Sequence, residues 1–399
     1  MADTAKLASF TCPAPLTTVD RVLLGHGSGG KLSAQLVRDI FLPAFSNPAL
    51  AQLNDQAIVS INGARVAITT DSFVVKPLFF PGGDIGSLSV HGTINDLAMG
   101  GAQPLFLSVA FILEEGLPME TLRRVVDSLK RAAADAEVQI ITGDTKVVEK
   151  GKGDGLFINT TGIGVVPEGL QLSADRAQPG DKVILSGSIG DHGIAILAQR
   201  EGLEFESTIE SDSAALHTLV AGMLTINSRE EDAPLVPGFA PSGNLMRGAS
   251  GAIRCMRDPT RGGLSSTLNE IAEQSRVGME LEEDTILVRE DVRGACEMLG
   301  LDPLYVANEG KLVAIVTPGS ADAMVEKMRK HPLGKEARVI GTVRKESRPG
   351  HHANGARHHA YRRHAGWGPT TAYLLEPLSI GLLRVSVVRI CLVCGFTDG

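Results

Sequence analysis

The chain has 399 residues, enough for two or more domains with sizeable cores. Its formal charge is −8, with no basic run before about residue 340, which argues against nucleic acid as a partner. No run of about 18 apolar residues marks a membrane span, and five scattered cysteines, an odd count without a metal-type cluster, suit a reducing cytoplasm.

In chain order, residues 1–20 read as a flexible leader. Arg21–Leu24 is strand-like and runs into Gly25-His26-Gly27-Ser28-Gly29-Gly30-Lys31-Leu32. Gly25, Gly30 and Lys31 fit the P-loop pattern, but Leu32 stands where a Mg²⁺-binding hydroxyl belongs. What remains is a glycine-rich flap able to lay the N–H groups of Gly27, Ser28, Gly29 and Gly30 over phosphates, or a flexible loop before a helix at 32–41. Asp55 sits beside a short strand. Asn62-Gly63 reads as a hairpin turn into a strand at 66–68, followed by the acidic turn Thr70-Asp71-Ser72. A glycine-rich loop, Pro81–Gly86, leads to a helix-like segment with His91, Asn95 and Asp96. A strand at 105–113, an amphipathic helix at 118–134 and a strand at 138–141 precede Thr142-Gly143-Asp144-Thr145-Lys146; another strand spans 157–165.

Each aspartate alone is an ordinary turn or surface residue. Four together, Asp55, Asp71, Asp96 and Asp144, exceed what turns need. Like charges brought together are costly unless a cation neutralises them. The pattern therefore points to Mg²⁺ bound with the phosphates of a nucleotide. Lys146 could reach a phosphate or a substrate oxygen.

Residues 167–179 read as a linker. A second domain opens with a strand at 181–186 and the turn Gly187–Gly193, whose backbone at a helix start suits an anion. Residues 228–251 resemble a surface loop. Asp258-Pro259-Thr260-Arg261-Gly262-Gly263 opens a helix at 264–274, with Arg261 able to pair with a phosphate or carboxylate. A strand at 280–281 and a helix at 292–299 precede Asn308-Glu309-Gly310-Lys311. A strand at 312–316, a helix at 320–329 and a strand at 337–343 follow. The mixed order predicts an α+β fold of two lobes.

The stretches Gly25–Gly30, Asp55-Gln56-Ala57, Thr70-Asp71-Ser72, Pro77–Gly83, Asn95-Asp96, Phe111–Leu122, Thr142–Val148, Gly190–Gly193, Arg257–Gly263 and Ala307–Val313 resemble the HypE family of hydrogenase maturation proteins. These are carbamoyl dehydratases of the PurM/AIR-synthase-like ATP-binding superfamily. The likeness covers roughly residues 21–345. It implies an N-terminal ATP-binding domain at 21–168 and a C-terminal domain at 178–345. It implies a homodimer whose N-terminal lobes join into a β-barrel. ATP would be held by the flap, Asp71, Asn95, Asp144, Thr145 and Arg261, with Mg²⁺ on Asp55, Asp71, Asp96 and Asp144. In such proteins HypF places a carbamoyl group on a C-terminal cysteine. ATP-dependent loss of its oxygen leaves a thiocyanate, and the cyanide passes to the iron held by HypC–HypD for [NiFe]-hydrogenase. That chemistry needs a cation near the departing oxygen and a base for the nitrogen protons. Lys146 and Glu309 suit these roles, with His91 a further polar candidate. The alternatives are a selenophosphate synthetase, which would want a reactive cysteine the flap lacks, a thiamine-phosphate kinase, or an ATP-binding scaffold without catalysis.

The family ends in Pro-Arg-Ile-Cys, and this chain departs from it after about Arg348. His351, His352, His358, His359, His364 and Trp367 crowd into the tail, and residues 346–399 read as aberrant and without a stable fold. Codons exist for residues 350–376 that, read one nucleotide later, encode a peptide ending Leu-Pro-Arg-Ile-Cys and a stop. A frameshift is therefore expected, with Cys391 in Arg389-Ile390-Cys391 the nearest substitute for the acceptor cysteine.

Overall fold

A computed structural model describes residues 21–203, 208–225, 249–345, 384–386 and 389–392 of the chain. The expected leader and most of the expected loop at 228–251 lie outside the described residues.

The N-terminal arm holds no strand at its start. It forms a tight 3-10 turn, Leu24–Gly27, and then α1 (Lys31–Leu36), a π-turn at Val37–Phe41 and α2 (Leu42–Ala44). Asn62 and Gly63, both at positive φ, make the turn between β1 (Ala57–Ile61) and β2 (Ala64–Phe73). Two-residue strands β3 (Phe79–Phe80) and β4 (Gly83–Asp84) lead into α3 (Ile85–Met99). Asp84 caps that helix, its Oδ1 accepting from the N–H groups of Gly86 and Ser87 at 2.7 and 3.2 Å. Next come β5 (Gln103–Glu114), α4 (Met119–Asp135), β6 (Gln139–Val148) and β7 (Leu156–Val165). The sheet order is β1-β2-β7-β5-β6, antiparallel except for the β5–β6 pair that α4 connects.

Alternation along the strands gives this sheet two different faces. Phe73, Leu107, Val109, Leu156 and Ile158 point into a core with Ile85, Leu88, Ile94, Val125 and Leu129 of α3 and α4. The other face carries exposed Ile68 and Ile112. Two expectations change here. Asp71 lies inside β2, and Asp144, Thr145 and Lys146 lie inside β6, not in turns after them. Threonine-rich rows extend the ladder: Thr70 pairs with Thr161, Asp71 with Thr160 and Asp144 with Ala110. β-branched threonines favour that extension.

The second lobe runs β8 (Lys182–Leu185), α5 (Asp191–Glu201), α6 (His217–Leu224), α7 (Ala249–Ala252), β9 (Ile253–Arg257), α8 (Gly263–Ser275), β10 (Val277–Leu281), α9 (Glu290–Leu299), β11 (Val313–Val316), α10 (Ala321–Arg329) and β12 (Arg338–Lys345). It closes with β13 (Arg384–Ser386) and β14 (Arg389–Leu392). The order β13-β14-β10-β12-β8-β11-β9 is antiparallel throughout. β11 is buried along its whole length, as its Val-Ala-Ile-Val run requires of a central strand covered on both faces. One face packs on α8 through Leu264, Leu268 and Ile271. The other packs on α6 and α10, in a cluster that also takes in Ala67, Leu97, Ala98 and Met99 of the first lobe. The two lobes thus share a core, and their contact sets the site described next. In the tail, β14 pairs with β10 with Cys391 opposite Glu280; the rest of 346–399 lies outside the described residues.

Candidate active site

Strands, a helix and a loop converge where the lobes meet. Asp71 comes from β2, Asp96 from α3, Asp258 from the residue after β9, and Glu309 from the loop before β11. Asp55 precedes β1. Thr69 ties two of them together: its Oγ1 lies 2.8 Å from Asp96 Oδ2 and 2.9 Å from the Asp55 carbonyl. Arg257 Nη1 donates to Asp55 Oδ1 at 2.8 Å and reaches Glu270 at 3.4 Å.

Burial and mutual repulsion raise the carboxyl groups of this cluster above their ordinary range. Burial raises Asp96 well above the ordinary carboxylate range, with the charges of Asp258, Asp55 and Asp71 adding to it. Burial and the Asp55 charge push Asp258 up to about 8. Burial raises Asp71, against the opposing pull of Ser72 N–H and Arg261. Glu309 is raised well above its usual value by burial and then by Asp258, Asp212 and Asp71. Asp55 Oδ2 and Asp258 Oδ2 are buried without a hydrogen-bond partner. Among the described residues no three His, Cys, Asp or Glu side chains stand ready in metal-ligating geometry. The donor set nevertheless fits a hard cation, because two orphaned carboxylate oxygens and several surplus negative charges need one.

The flap docks over this cluster. Arg261 Nη1 donates to the Gly27 carbonyl at 2.9 Å, while its Nη2 lies 3.9 Å from Asp71 Oδ1. Gly29 takes a φ of 76°, and a Cβ there would stand 2.5 Å from the Arg261 carbonyl, so only glycine permits the approach. Ser28 Oγ is turned back on the Gly25 carbonyl at 2.8 Å, and Gly30 precedes the first turn of α1.

Other expected site residues are used differently. Asn95 is fully buried and fully bonded: Nδ2 donates to the carbonyls of Ala214 and Glu309 at 3.0 Å each, and Oδ1 accepts from Leu216 N–H at 2.7 Å. It pins the Glu309 backbone, and both its amide nitrogen hydrogens are taken by the protein. His91 Nδ1 lies 3.0 Å from Ser213 Oγ, and its charged neighbours are Asp135 and Asp84, not the acidic cluster. The turn at 187–193 gives its N–H groups to the protein, Gly190 to Asn308 Oδ1 at 2.7 Å and Gly193 to the Ala307 carbonyl at 3.0 Å.

Asp144, Thr145 and Lys146 stand apart. They lie on the exposed edge strand β6, three strands from β2, roughly 14 Å at the usual strand spacing. Asp144 and Lys146 pair with Ala110 and Ile112, the residues of β5 that alternate with the core-facing Val109, so they face away from the core. Lys146 Nζ donates to its neighbour Asp144 Oδ2 at 2.7 Å. Cys391 stands on β14, five strands from β9 in the sheet order and so far from the Asp258 end.

Asp258 was quoted in the sequence only as part of a helix start. Its place at a strand end, directly after a buried arginine, is the signal that marks it as a member of the cluster.

The raised carboxylates make stability depend on pH. A raised folded-state pKa stabilises below the unfolded value and that stabilisation is lost as pH rises. His91 and His192, lowered to about 4 by burial, act in the opposite sense but only below their ordinary value of 6.5. From there to about 8 the carboxylates act alone. Without metal or nucleotide, melting temperature is expected to fall from pH 6.5 to 8, and less steeply in Asp258→Asn. A flat profile in calorimetry would contradict this.

Comparison with known proteins begins with the family models. The N-terminal domain of AIR synthase related protein matches residues 53–166, and its C-terminal domain matches residues 178–354. Fold and site thus define an AIR-synthase-related protein of two lobes. Carbamoyl dehydratase HypE of Cupriavidus necator is 56% identical over 329 residues, 82% of this chain and 87% of that protein. A solved HypE–HypF complex has TM-score 0.69 at 45% identity, over 78% of this chain and 93% of that one. A HypE solved in complex with ATP has TM-score 0.63 at 48% identity, over 82% and 90%. The chain belongs to the carbamoyl dehydratase HypE family. Among the described residues no helix is long and apolar enough to cross a membrane.

Proposed function

We propose that the chain is an ATP-dependent carbamoyl dehydratase that makes the cyanide ligand for [NiFe]-hydrogenase. The observation that carries this is Glu309, a buried carboxylate held beside an acidic cluster under a glycine flap. The reaction written out is R–S–C(=O)–NH₂ + ATP → R–S–C≡N + ADP + phosphate + H⁺. The amide oxygen attacks the terminal phosphorus, and one N–H proton leaves. The C–O bond then breaks with phosphate departing, and the second N–H proton leaves. Glu309 is the base for these protons. The Gly27–Gly30 flap and Arg261 cover the nucleotide phosphates.

Asp55, Asp71, Asp96 and Asp258 would hold Mg²⁺, which when bound neutralises both the carboxylates and the phosphate oxygens. Lys146 is the cation for the departing oxygen, and Asp144 joins it at the phosphates. Neither reaches the cluster of its own chain, so the working unit is a homodimer. The open sheet face, with exposed Ile68 and Ile112 beside Lys146, supports a second copy lying on it. HypF supplies the carbamoyl group and HypC–HypD accepts the cyanide. Cys255 and Cys296, free and buried, suit a reducing cytoplasm.

The test is incubation of the chain with Mg²⁺, ATP and a peptide ending in Pro-Arg-Ile-(S-carbamoyl)Cys. The expected result is ADP in step with loss of one water mass from the peptide. ATP cleavage without water loss would favour a phosphotransferase, and no cleavage an idle scaffold.

A further inference from the structure

Dehydrating a carboxamide takes two protons from one nitrogen, so the base must be ionised when the substrate arrives. The surroundings of Glu309 oppose that. Asp258 after β9, Asp212 in the loop before α6 and Asp71 on β2 all bear on it, and Arg261 alone pulls the other way. One further polar group faces the carboxyl. His192, in the first turn of α5, brings Nε2 to 3.9 Å from Glu309 Oε1.

The other side of that ring is fixed. His192 Nδ1 lies 2.8 Å from Ser211 Oγ, which accepts the Ser213 N–H at 3.2 Å. With that backbone donor taking one acceptor site, the Ser211 hydroxyl hydrogen is free to donate to Nδ1, an arrangement that places the ring hydrogen on Nε2, facing Glu309. The polarity of the chain is consistent from Ser213 through Ser211 and His192 to the carboxylate. Burial keeps the imidazole neutral, lowered to about 4. Phe80 meets the ring edge-on with centroids 5.7 Å apart. Ser211 N–H is held by the Pro81 carbonyl at 2.8 Å. Asp212 accepts from Lys311 Nζ at 3.0 Å and from Glu309 N–H at 3.3 Å, so the loop that orients the histidine also fixes the base. Gly310 lets this loop approach, since a Cβ there would overlap the Asp212 carbonyl.

We propose that His192 is a positioning residue that donates its Nε2 hydrogen to the Glu309 carboxylate and holds it as a base. This rests on the dehydratase reading above. The present separation is long for a hydrogen bond, as catalytic hydrogen bonds often are before substrate binds. His91 cannot substitute, its Nδ1 being tied to Ser213.

The test is the pH dependence of kcat/KM for thiocyanate formation from the same peptide, using the full chain with Mg²⁺ and ATP. In His192→Phe the acid limb is expected to move up by about one pH unit, a loss of about tenfold below it, converging on the parent at high pH. His192→Gln keeps an N–H donor and is expected to stay near the parental limb. Ser211→Ala frees the tautomer and is expected to shift the limb the same way by less; it carries the test if His192→Phe does not fold. A loss equal at every pH, an unshifted limb in both His192→Phe and Ser211→Ala, or a Gln variant shifted as far as Phe overturns the proposal. A parent chain that makes no thiocyanate overturns the dehydratase reading, and this proposal with it.

Discussion

Glu309→Gln is expected to lower thiocyanate formation by about 10²–10⁴-fold, the usual worth of a general base, while ATP binding stays within a few-fold of the parent. Asn95 and Asp212 hold the Glu309 backbone, through its carbonyl and its N–H respectively. The amide side chain therefore occupies the same place without offering a basic oxygen. Replacing the buried acid also removes a charge that burial and three neighbouring carboxylates disfavour. The variant is accordingly expected to be at least as heat-stable as the parent. A Gln variant that forms thiocyanate at the parental rate would remove Glu309 from the reaction.

Asp96→Asn is expected to separate stability from binding. Asp96 lies on α3 beside the shared core, half-buried, where the charges of Asp258, Asp55 and Asp71 add to the cost of burial. An asparagine keeps an oxygen for the Thr69 hydroxyl, now 2.8 Å away, and removes one like charge. Without ligand its melting temperature is expected to rise at neutral pH. Its affinity for Mg²⁺·ATP is expected to fall by at least about tenfold, since even supporting groups around a metal are worth that much. Such a pair of effects is the usual mark of a functional site held at the expense of stability. Titration calorimetry with and without Mg²⁺ reads the second effect; unchanged affinity would take Asp96 out of the cation site.

The sequence pattern made the elements legible where periodicity was strong. The helix expected at 118–134 is α4, and the α+β character of both lobes followed from mixed strands and helices. The carboxylates of Asp71 and Asp144 were visible as an unusual set, but their arrangement was not. Glycine and acidic residues cluster around both as they do in turns, whereas the ladder runs on through them. The side of a sheet on which a residue falls depends on register, and a local pattern does not report the register of a neighbouring strand. His91 and Asn95 sit about two and three helical turns into α3, beside the acidic cluster in sequence. What assigns them to the protein's own framework is the loop at 211–216, more than a hundred residues away. His192 and Asp258 were missed for the same reason: each matters through a partner from a distant segment, Glu309 for one and Asp55 for the other.

The composite site is tested most directly by mixed dimers of Lys146→Ala and Glu309→Gln chains, purified through two different tags and given the S-carbamoyl peptide, ATP and Mg²⁺. Each variant alone lacks one essential group at every site. If Lys146 serves the partner's carboxylates, a mixed dimer has one complete site, made of the intact Glu309 of one chain and the intact Lys146 of the other. Activity is then expected to return to about half the parental value. If mixed dimers form and stay as inactive as the two parent variants, Lys146 does not act across the dimer, and the two-chain site is wrong.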